Sequence, residues 1–381
     1  MKLQTNKRRT AYIVCFFLIL LGCFAGAVSA DDSEKQFKLS TDDIVHGLYN
    51  PDNEQLRSTD AEIVKLKEKS IYSRDGLSSL TLNENLQKLA LVYNDESVSS
   101  YFSKLMKEGI VTGFGVNRLG YYKVWVKSSV DDDEISSLIS GFDKITSDTY
   151  GKLPIIIQVS DGIALQSEHV DISPFATKLD NWRPIIGGIR VQAVTNTGVW
   201  NGTIGFAATK NGQSGYVTHG HNLAVGSQMY QPYASPLYPA GTVQAIGSTN
   251  SDSSWVPFGN TEASIYSSGS TGNKRAVSTY SSIPDGSKVV VMAGSNTYSY
   301  GYVDDVITAS HPYYGEIPYQ WTATYDSIGG DSGAPVYQQD SVTHEFCLVG
   351  LHWGRKVSSD VAVFSPLSGV MSDLGIVPKT R

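Results

Sequence analysis

The chain is poor in cysteine, with three in 381 residues. Two of them, Cys15 and Cys23, lie in an amino-terminal stretch that reads as removable. Only Cys347 would then remain, and one cysteine cannot close an internal disulfide. It sits in the apolar run Phe346-Cys347-Leu348-Val349, where buried packing is its simpler role. An excess of positive charge is also missing. The net charge is −7, which argues against a nucleic-acid backbone as partner. Methionine is scarce at 5, against 36 glycines and 22 tyrosines, a balance that favours strands and turns over a helical bundle. There is no phosphate-cradling glycine motif, no cysteine-based zinc site and no repeat of fixed period. Outside residues 11–28 no segment is long and apolar enough to span a bilayer, so no stable membrane association is expected. No cofactor is expected either.

What is present begins with Lys2, Lys7, Arg8 and Arg9, followed by the apolar stretch 11–28 and the small residues Ser29 and Ala30. A basic start, an apolar middle and a Val-Ser-Ala end predict a secretory signal peptide over 1–30, cleaved after Ala30, and a secreted, extracellular protein. The alternatives are a retained anchor and a lipoprotein signal at Cys23. Losing four basic groups takes the net charge from −7 to −11. The length predicts two domains, possibly three. With 41% hydrophobic residues, a sizeable core is within reach and global disorder is excluded.

Charge divides the remainder. Residues 31–184 hold 25 acids and 17 bases, whereas 185–381 hold 12 and 9. The boundary falls between residues 160 and 185, where Ser, Asp, Gly and Pro break the pattern. The first part predicts helix within 41–107, a hairpin from strands at 111–117 and 121–127, a helix opening at Asp131 and a strand at 154–159, together a small α+β unit. The acidic run 131–133 suits a helix amino terminus better than a metal loop. The second part has short runs of Val, Ile, Tyr and Thr at 188–194, 203–209, 215–218, 241–246, 288–292, 302–307, 334–337, 347–352 and 361–365. These predict an all-β sandwich or barrel, closed by a short helix at 368–374.

Three segments carry chemistry. Gly329-Gly330-Asp331-Ser332-Gly333-Ala334-Pro335 sets a serine on a glycine-flanked turn whose N–H groups can converge on a developing oxyanion. A serine hydroxyl is a weak nucleophile and needs a base with a group to orient it. Gly215-Tyr216-Val217-Thr218-His219-Gly220-His221 runs a strand into a histidine-bearing turn, and Asp252 immediately precedes the apolar run Trp255-Val256. The order His221, Asp252, Ser332 is one of several that build the same geometry. His219 and His221 also form an H-x-H pair, but a third metal ligand at suitable spacing is not evident, so no metal site is expected. Asp304 and Asp305 are rival acids.

With these residues in order, the chain resembles the secreted bacterial branch of the chymotrypsin-like serine proteases. The resemblance covers about residues 185–375 and rests on GDSGAP at 330–335, THGH at 218–221, DSSWV at 252–256, LHWG at 351–354 and VFSPL at 363–367. It implies an all-β catalytic domain over 174–381, a double antiparallel β-barrel. A smaller α+β propeptide over 31–173 would precede it. It implies a serine endopeptidase made as a proenzyme, acting on protein or peptide substrates and engaging its own propeptide. His221 would be the general base, Asp252 its orienting acid and Ser332 the nucleophile. The amides of Gly330 and Ser332 would form the oxyanion hole. Asp326, Trp353 and Gly354 would bind substrate, Asp326 as a buried carboxylate selecting Arg or Lys.

The sequence departs from the pattern in places. Asn222 replaces a cysteine, and His352 stands where a serine supports the triad acid. Arg183-Pro184-Ile185-Ile186-Gly187-Gly188 resembles a zymogen junction, but proline after the arginine hinders cleavage there. The rival reading from another class is a catalytically silent binding or adhesin module on the same fold.

Overall fold

The computed structural model describes residues 37–50, 61–75, 80–165, 177–267, 274–286, 288–295, 298–340, 343–357 and 361–381. The signal peptide expected over 1–30 and the boundary expected at 173/174 lie outside the described residues. Among the described residues no helix is long and apolar enough to cross a membrane.

Residues 37–165 carry helices Thr41–Leu48, Ala61–Glu68, Leu82–Tyr93, Glu96–Lys107 and Asp132–Tyr150. Their strands are β1 (Tyr72–Arg74), β2 (Val111–Asn117), β3 (Tyr121–Val126), β4 (Ile155–Val159) and β5 (Ile163–Leu165). The acidic run ends where a helix starts. Asp131 accepts from the Glu134 amide at 2.9 Å and Glu134 reaches back to the Asp131 amide at 3.1 Å, a capping box that satisfies amides the helix itself leaves unpaired. The helix buries Ile135, Leu138 and Phe142. Phe142 stacks on Tyr122, which stacks on Phe102, joining helices to sheet through large apolar rings.

The second half is strand after strand. Its first half-dozen are β6 (Ile185–Gly187), β7 (Arg190–Thr195), β8 (Gly198–Thr203), β9 (Phe206–Lys210), β10 (Gln213–Thr218) and β11 (Gln228–Tyr230). Next come β12 (Pro239–Thr242), β13 (Ala245–Gly247), β14 (Ser253–Pro257), β15 (Thr261–Tyr266), β16 (Lys274–Tyr280) and β17 (Lys288–Met292). The last are β18 (Tyr298–His311), β19 (Gly315–Ala323), β20 (Pro335–Gln339), β21 (Phe346–Lys356), β22 (Ala362–Pro366) and β23 (Val377–Pro378). Helix Leu367–Leu374 follows β22 and ends at Gly375 in the left-handed region.

Strands β17, β18, β19, β22, β21 and β20 pair in turn, and β20 returns to β17, so six antiparallel strands close on themselves. Strands β13, β14, β10, β9 and β23 form a second sheet, and β12, β11, β7 and β8 a third. Phe206, Tyr216, Met229 and Trp255 from these two sheets share one apolar cluster with Val290, Tyr337 and Leu351 of the closed ring. Tyr298, Tyr300 and Tyr302 pair with β17 and turn outward, 44–54% exposed.

The two halves of the chain share a sheet. Strand β2 pairs antiparallel with β18, from Asp305↔Asn117 to Ala309↔Gly113. Gly115 makes this approach possible, because a Cβ there would collide with the Val306 carbonyl. Trp125 and Ile163 pack with Ile307, Ala309, Trp353 and Val363 in an apolar seam across the join. Asp304 and Asp305 sit at its polar end. Lys123 lies 3.2 Å from Asp305, and the Asn117 amide donates to Asp305 at 2.7 Å.

Candidate active site

Sheet register closes the 31-residue gap between His221 and Asp252. Strands β10 and β14 run antiparallel with Thr218 opposite Ser254, so the turn leaving β10 meets the residue entering β14. The Ser254 hydroxyl donates to the His219 carbonyl at 2.7 Å and pins this turn. His221 Nδ1 then donates to Asp252 Oδ2. The other carboxylate oxygen accepts the amides of Gly220 and His221, both at 2.7 Å. Both side chains are fully buried. Burial alone would push the Asp252 carboxyl up, yet His221 and His311 beside it hold it well below the usual carboxylate range. A buried carboxylate that stays charged fixes the tautomer of its histidine, with the proton on Nδ1 and the lone pair on Nε2.

Ser332 lies on the expected turn. Gly330 and Gly333 have φ of +86° and +89°, a region that penalises a side chain, and a Cβ at Gly330 would strike Ser295 Oγ. Asp331 is buried and accepts from the Ile328 amide at 2.9 Å, holding the turn. The Gly333 amide donates to the His352 carbonyl at 2.8 Å, tying the turn to β21. The Ser332 carbonyl accepts from the Thr203 amide at 2.8 Å and from His219 Nδ1 at 3.1 Å. His219 in turn lies 4.6 Å from His221, ring to ring. The Ser332 hydroxyl donates to the Trp353 carbonyl at 3.3 Å. His221 Nε2 is buried and has no hydrogen-bond partner among the described residues.

The structure thus joins His221 to Asp252 and sets Ser332 beside His219, without a hydrogen bond from the serine hydroxyl to His221 Nε2. Asp304 and Asp305 do not approach His221. Asp326 is exposed, its amide donating to Ser299 Oγ at 2.8 Å, so it is not the buried carboxylate that the resemblance implied. Trp353 is fully buried, its indole donating to Gln320 at 3.0 Å, and so offers no open face. Gly354 lies on a strand edge already paired with β5, opposite Leu165. His352 Nδ1 shares a hydrogen bond with the Tyr325 hydroxyl at 2.9 Å. Ser365 Oγ accepts the Asp252 backbone amide at 3.1 Å and donates to Gln320 at 2.8 Å. Burial pushes both His219 and His352 down to about 3, so both are neutral at ordinary pH. The Ile185 amide donates to Asn260 at 2.8 Å within a parallel pairing to β15. The charge near Asp331 is that of buried Lys178, which burial lowers to about 8 against the pull of Asp331.

No family model matches the chain, and no curated protein does. Among solved structures, it is similar to Thermobifida fusca protease A at 21% identity and TM-score 0.40, over 52% of this chain and 99% of that one. It is similar to a glutamic acid specific serine protease whose substrate binding uses a histidine triad, at 20% and 0.42, over 51% and 100%. Cellulomonas bogoriensis chymotrypsin gives 19% and 0.40, over 52% and 99%. The chain resembles bacterial chymotrypsin-like serine proteases. The likeness spans about half of this chain and, at such identity, leaves residue roles to be argued from the site itself.

One residue escaped sequence reasoning. His311 Nε2 lies 3.3 Å from Asp252 Oδ2. It ends strand β18 and precedes a proline, with no spacing that ties it to the other segments. Only the fold of the β18–β19 hairpin brings it there. His221, Asp252 and His311 each offer a ligand atom within 4.8 Å of the others, the one such trio among the described residues. Their nitrogens converge on a single carboxylate oxygen through hydrogen bonds, an arrangement that fills its lone pairs.

Proposed function

We propose that the chain is a secreted serine endopeptidase made as a proenzyme, with a signal peptide over 1–30, an α+β propeptide over 31–173 and a double-barrel catalytic domain over 174–381. The observation that carries this reading is the buried His221–Asp252 bond next to the glycine turn of Ser332. In the reaction, Ser332 Oγ attacks the carbonyl carbon of a peptide bond while His221 Nε2 takes its proton. The amides of Gly330 and Ser332 hold the oxyanion. His221 returns the proton to the departing amine, leaving an acyl-serine. Water then attacks the acyl group with His221 again as base, and Ser332 is released. Asp252 keeps the imidazole in the required tautomer and stabilises the imidazolium.

The proenzyme part rests on what covers the site. Ser332 is fully buried and its hydroxyl is turned to the Trp353 carbonyl. Strand β5 pairs antiparallel with Gly354, Arg355 and Lys356 on the residues that follow Trp353. An extended segment there occupies a strand edge beside the proposed nucleophile, which fits a chain that holds its own site closed. The proposed attack needs the serine hydroxyl to leave the Trp353 carbonyl and engage the buried, unpartnered Nε2 of His221.

The test is fluorophosphonate labelling read by mass spectrometry, on the intact chain and after cleavage between residues 160 and 185, with Ser332→Ala as control. Labelling at Ser332 that rises on cleavage and vanishes in the variant is the expected result. Labelling of the intact chain alone would remove the proenzyme part. Absence of label in folded, cleaved protein would overturn the enzyme reading in favour of a binding module.

A further inference from the structure

Asp252 is fully buried, and a buried carboxylate stays ionised only if several donors converge on it. Three of them belong to the turn around His221. The fourth is His311, which shares the oxygen Oδ2 with His221 Nδ1 and lies 59 residues away in sequence.

The tautomer of His311 follows from its surroundings. Its Nδ1 accepts the backbone amides of Tyr313 at 3.1 Å and Tyr314 at 3.3 Å. A ring nitrogen that accepts N–H groups carries no proton, so the proton of the neutral ring is on Nε2. That nitrogen faces Asp252 Oδ2 at 3.3 Å and donates to it. The ring has no freedom to turn away: it is 2% exposed, stacks on Tyr314 with centroids 4.4 Å and planes 7° apart, and packs against Trp353 at 4.9 Å. The same hairpin tip grips the histidine turn, since the Tyr313 hydroxyl donates to Asn222 at 2.6 Å.

We propose that His311 is a positioning residue for the triad acid, its Nε2–H fixing the same Asp252 oxygen that accepts from His221. The inference rests on the protease reading above for its consequence in catalysis, but its contact with Asp252 stands apart from that reading. The groups that face Asp252 are His221 from the turn after β10, and His311 and Tyr314 from the β18–β19 hairpin. His219 and His352 lie beyond them, both neutral. Because the positive end of the His311 N–H dipole opposes a positive charge on the His221 ring, its removal lets that ring protonate more easily.

The experiment compares His311→Leu, which keeps bulk without a donor, with His311→Gln, whose amide can donate. Labelling rates at Ser332 are measured across pH in cleaved protein. In parallel, proton NMR of the Ser332→Ala chain follows the downfield resonance of the His221–Asp252 proton. Leu should slow labelling by about 10- to 100-fold, the worth of one hydrogen bond to a charged group. It should also move the acid limb of the profile to higher pH and shift the downfield resonance, while Gln restores most of all three. Equal losses in Leu and Gln with an unmoved acid limb would mean a packing role only and overturn the proposal, as would a Leu variant that behaves like wild type. If the wild type does not label, the protease reading falls while the resonance still decides: displaced by Leu and restored by Gln, it upholds the contact; unmoved, it overturns it.

Discussion

Asp252 and Asp305 are both fully buried carboxylates, and they are stabilised from different parts of the chain. Every donor to Asp252 comes from the second half: two backbone amides, His221 and His311. Asp305 takes the Thr322 hydroxyl at 2.9 Å and the nearby charge of Lys356 from its own half, and hydrogen bonds from Asn117 and Lys123 of the first half. The electrostatics follow. Asp252 is held well below the usual carboxylate range, whereas burial and then the neighbouring charge of Asp304 push Asp305 up against the pull of Lys123. One carboxylate is self-sufficient within the proposed catalytic domain. The other also takes donors from residues 37–165. On the proposed proenzyme reading, the first would keep its partners after cleavage and the second would lose these.

The strongest way to break the comparison is to neutralise Asp252. In Asp252→Asn the carboxamide presents an N–H where His221 needs an acceptor, which favours the wrong tautomer. Labelling of Ser332 in cleaved protein should fall by about 10⁴-fold. A rate within tenfold of wild type would remove Asp252 from the triad.

Next in size is the seam. Lys123→Met removes the cation hydrogen-bonded to buried Asp305, and breaking such a pair typically costs about 3–5 kcal/mol. Urea unfolding of the full chain in a Ser332→Ala background should register that loss. Lys123→Met with Asp305→Asn should recover most of it, because neither charge then remains buried. A single variant as stable as the parent would mean that water reaches Asp305, and the contrast with Asp252 would collapse.

Much of this layout could be read from residue patterns, and the limits of that reading are physical. Alternating Val, Ile, Tyr and Thr with Gly punctuation marks strands because side-chain direction reverses at each step, so a buried face leaves its period in the sequence. The meeting of His221 with Asp252 is legible for a related reason: each flanks an apolar strand, and two such strands pair. His311 leaves no such trace, since its place depends on where the tip of the long β18–β19 hairpin meets the residue entering β14 of the second sheet. Asp326 shows the opposite failure. Its motif suggested a buried carboxylate, but Tyr325 and Ser327 turn inward on either side and leave it exposed. The exposed edge of β18, and the β2 strand that covers it, are equally silent in sequence, because pairing between distant strands is set by tertiary packing.

The finest distinction concerns the histidines around the site rather than its carboxylate. His219 and His352 are neutral in the folded protein because burial lowers each to about 3, whereas an unfolded histidine titrates near 6.5. Between those values the unfolded chain binds more protons than the folded one. Stability from these rings is therefore full above about pH 6.5 and is lost as pH falls toward about 3. Replacing one ring by an isosteric amide, His219→Gln, removes one proton from that balance. Between pH 6.5 and 5.5 the Ser332→Ala parent should lose about 1 kcal/mol more than the variant does, read by urea unfolding at each pH. The carboxylate seam responds in a different range, since Asp305 already sits above the ordinary aspartate value. Parallel pH curves for parent and variant would mean that His219 is charged or solvated in the folded state. The hydrogen bond it donates to the Ser332 carbonyl would then no longer report a neutral ring packed against the proposed nucleophile.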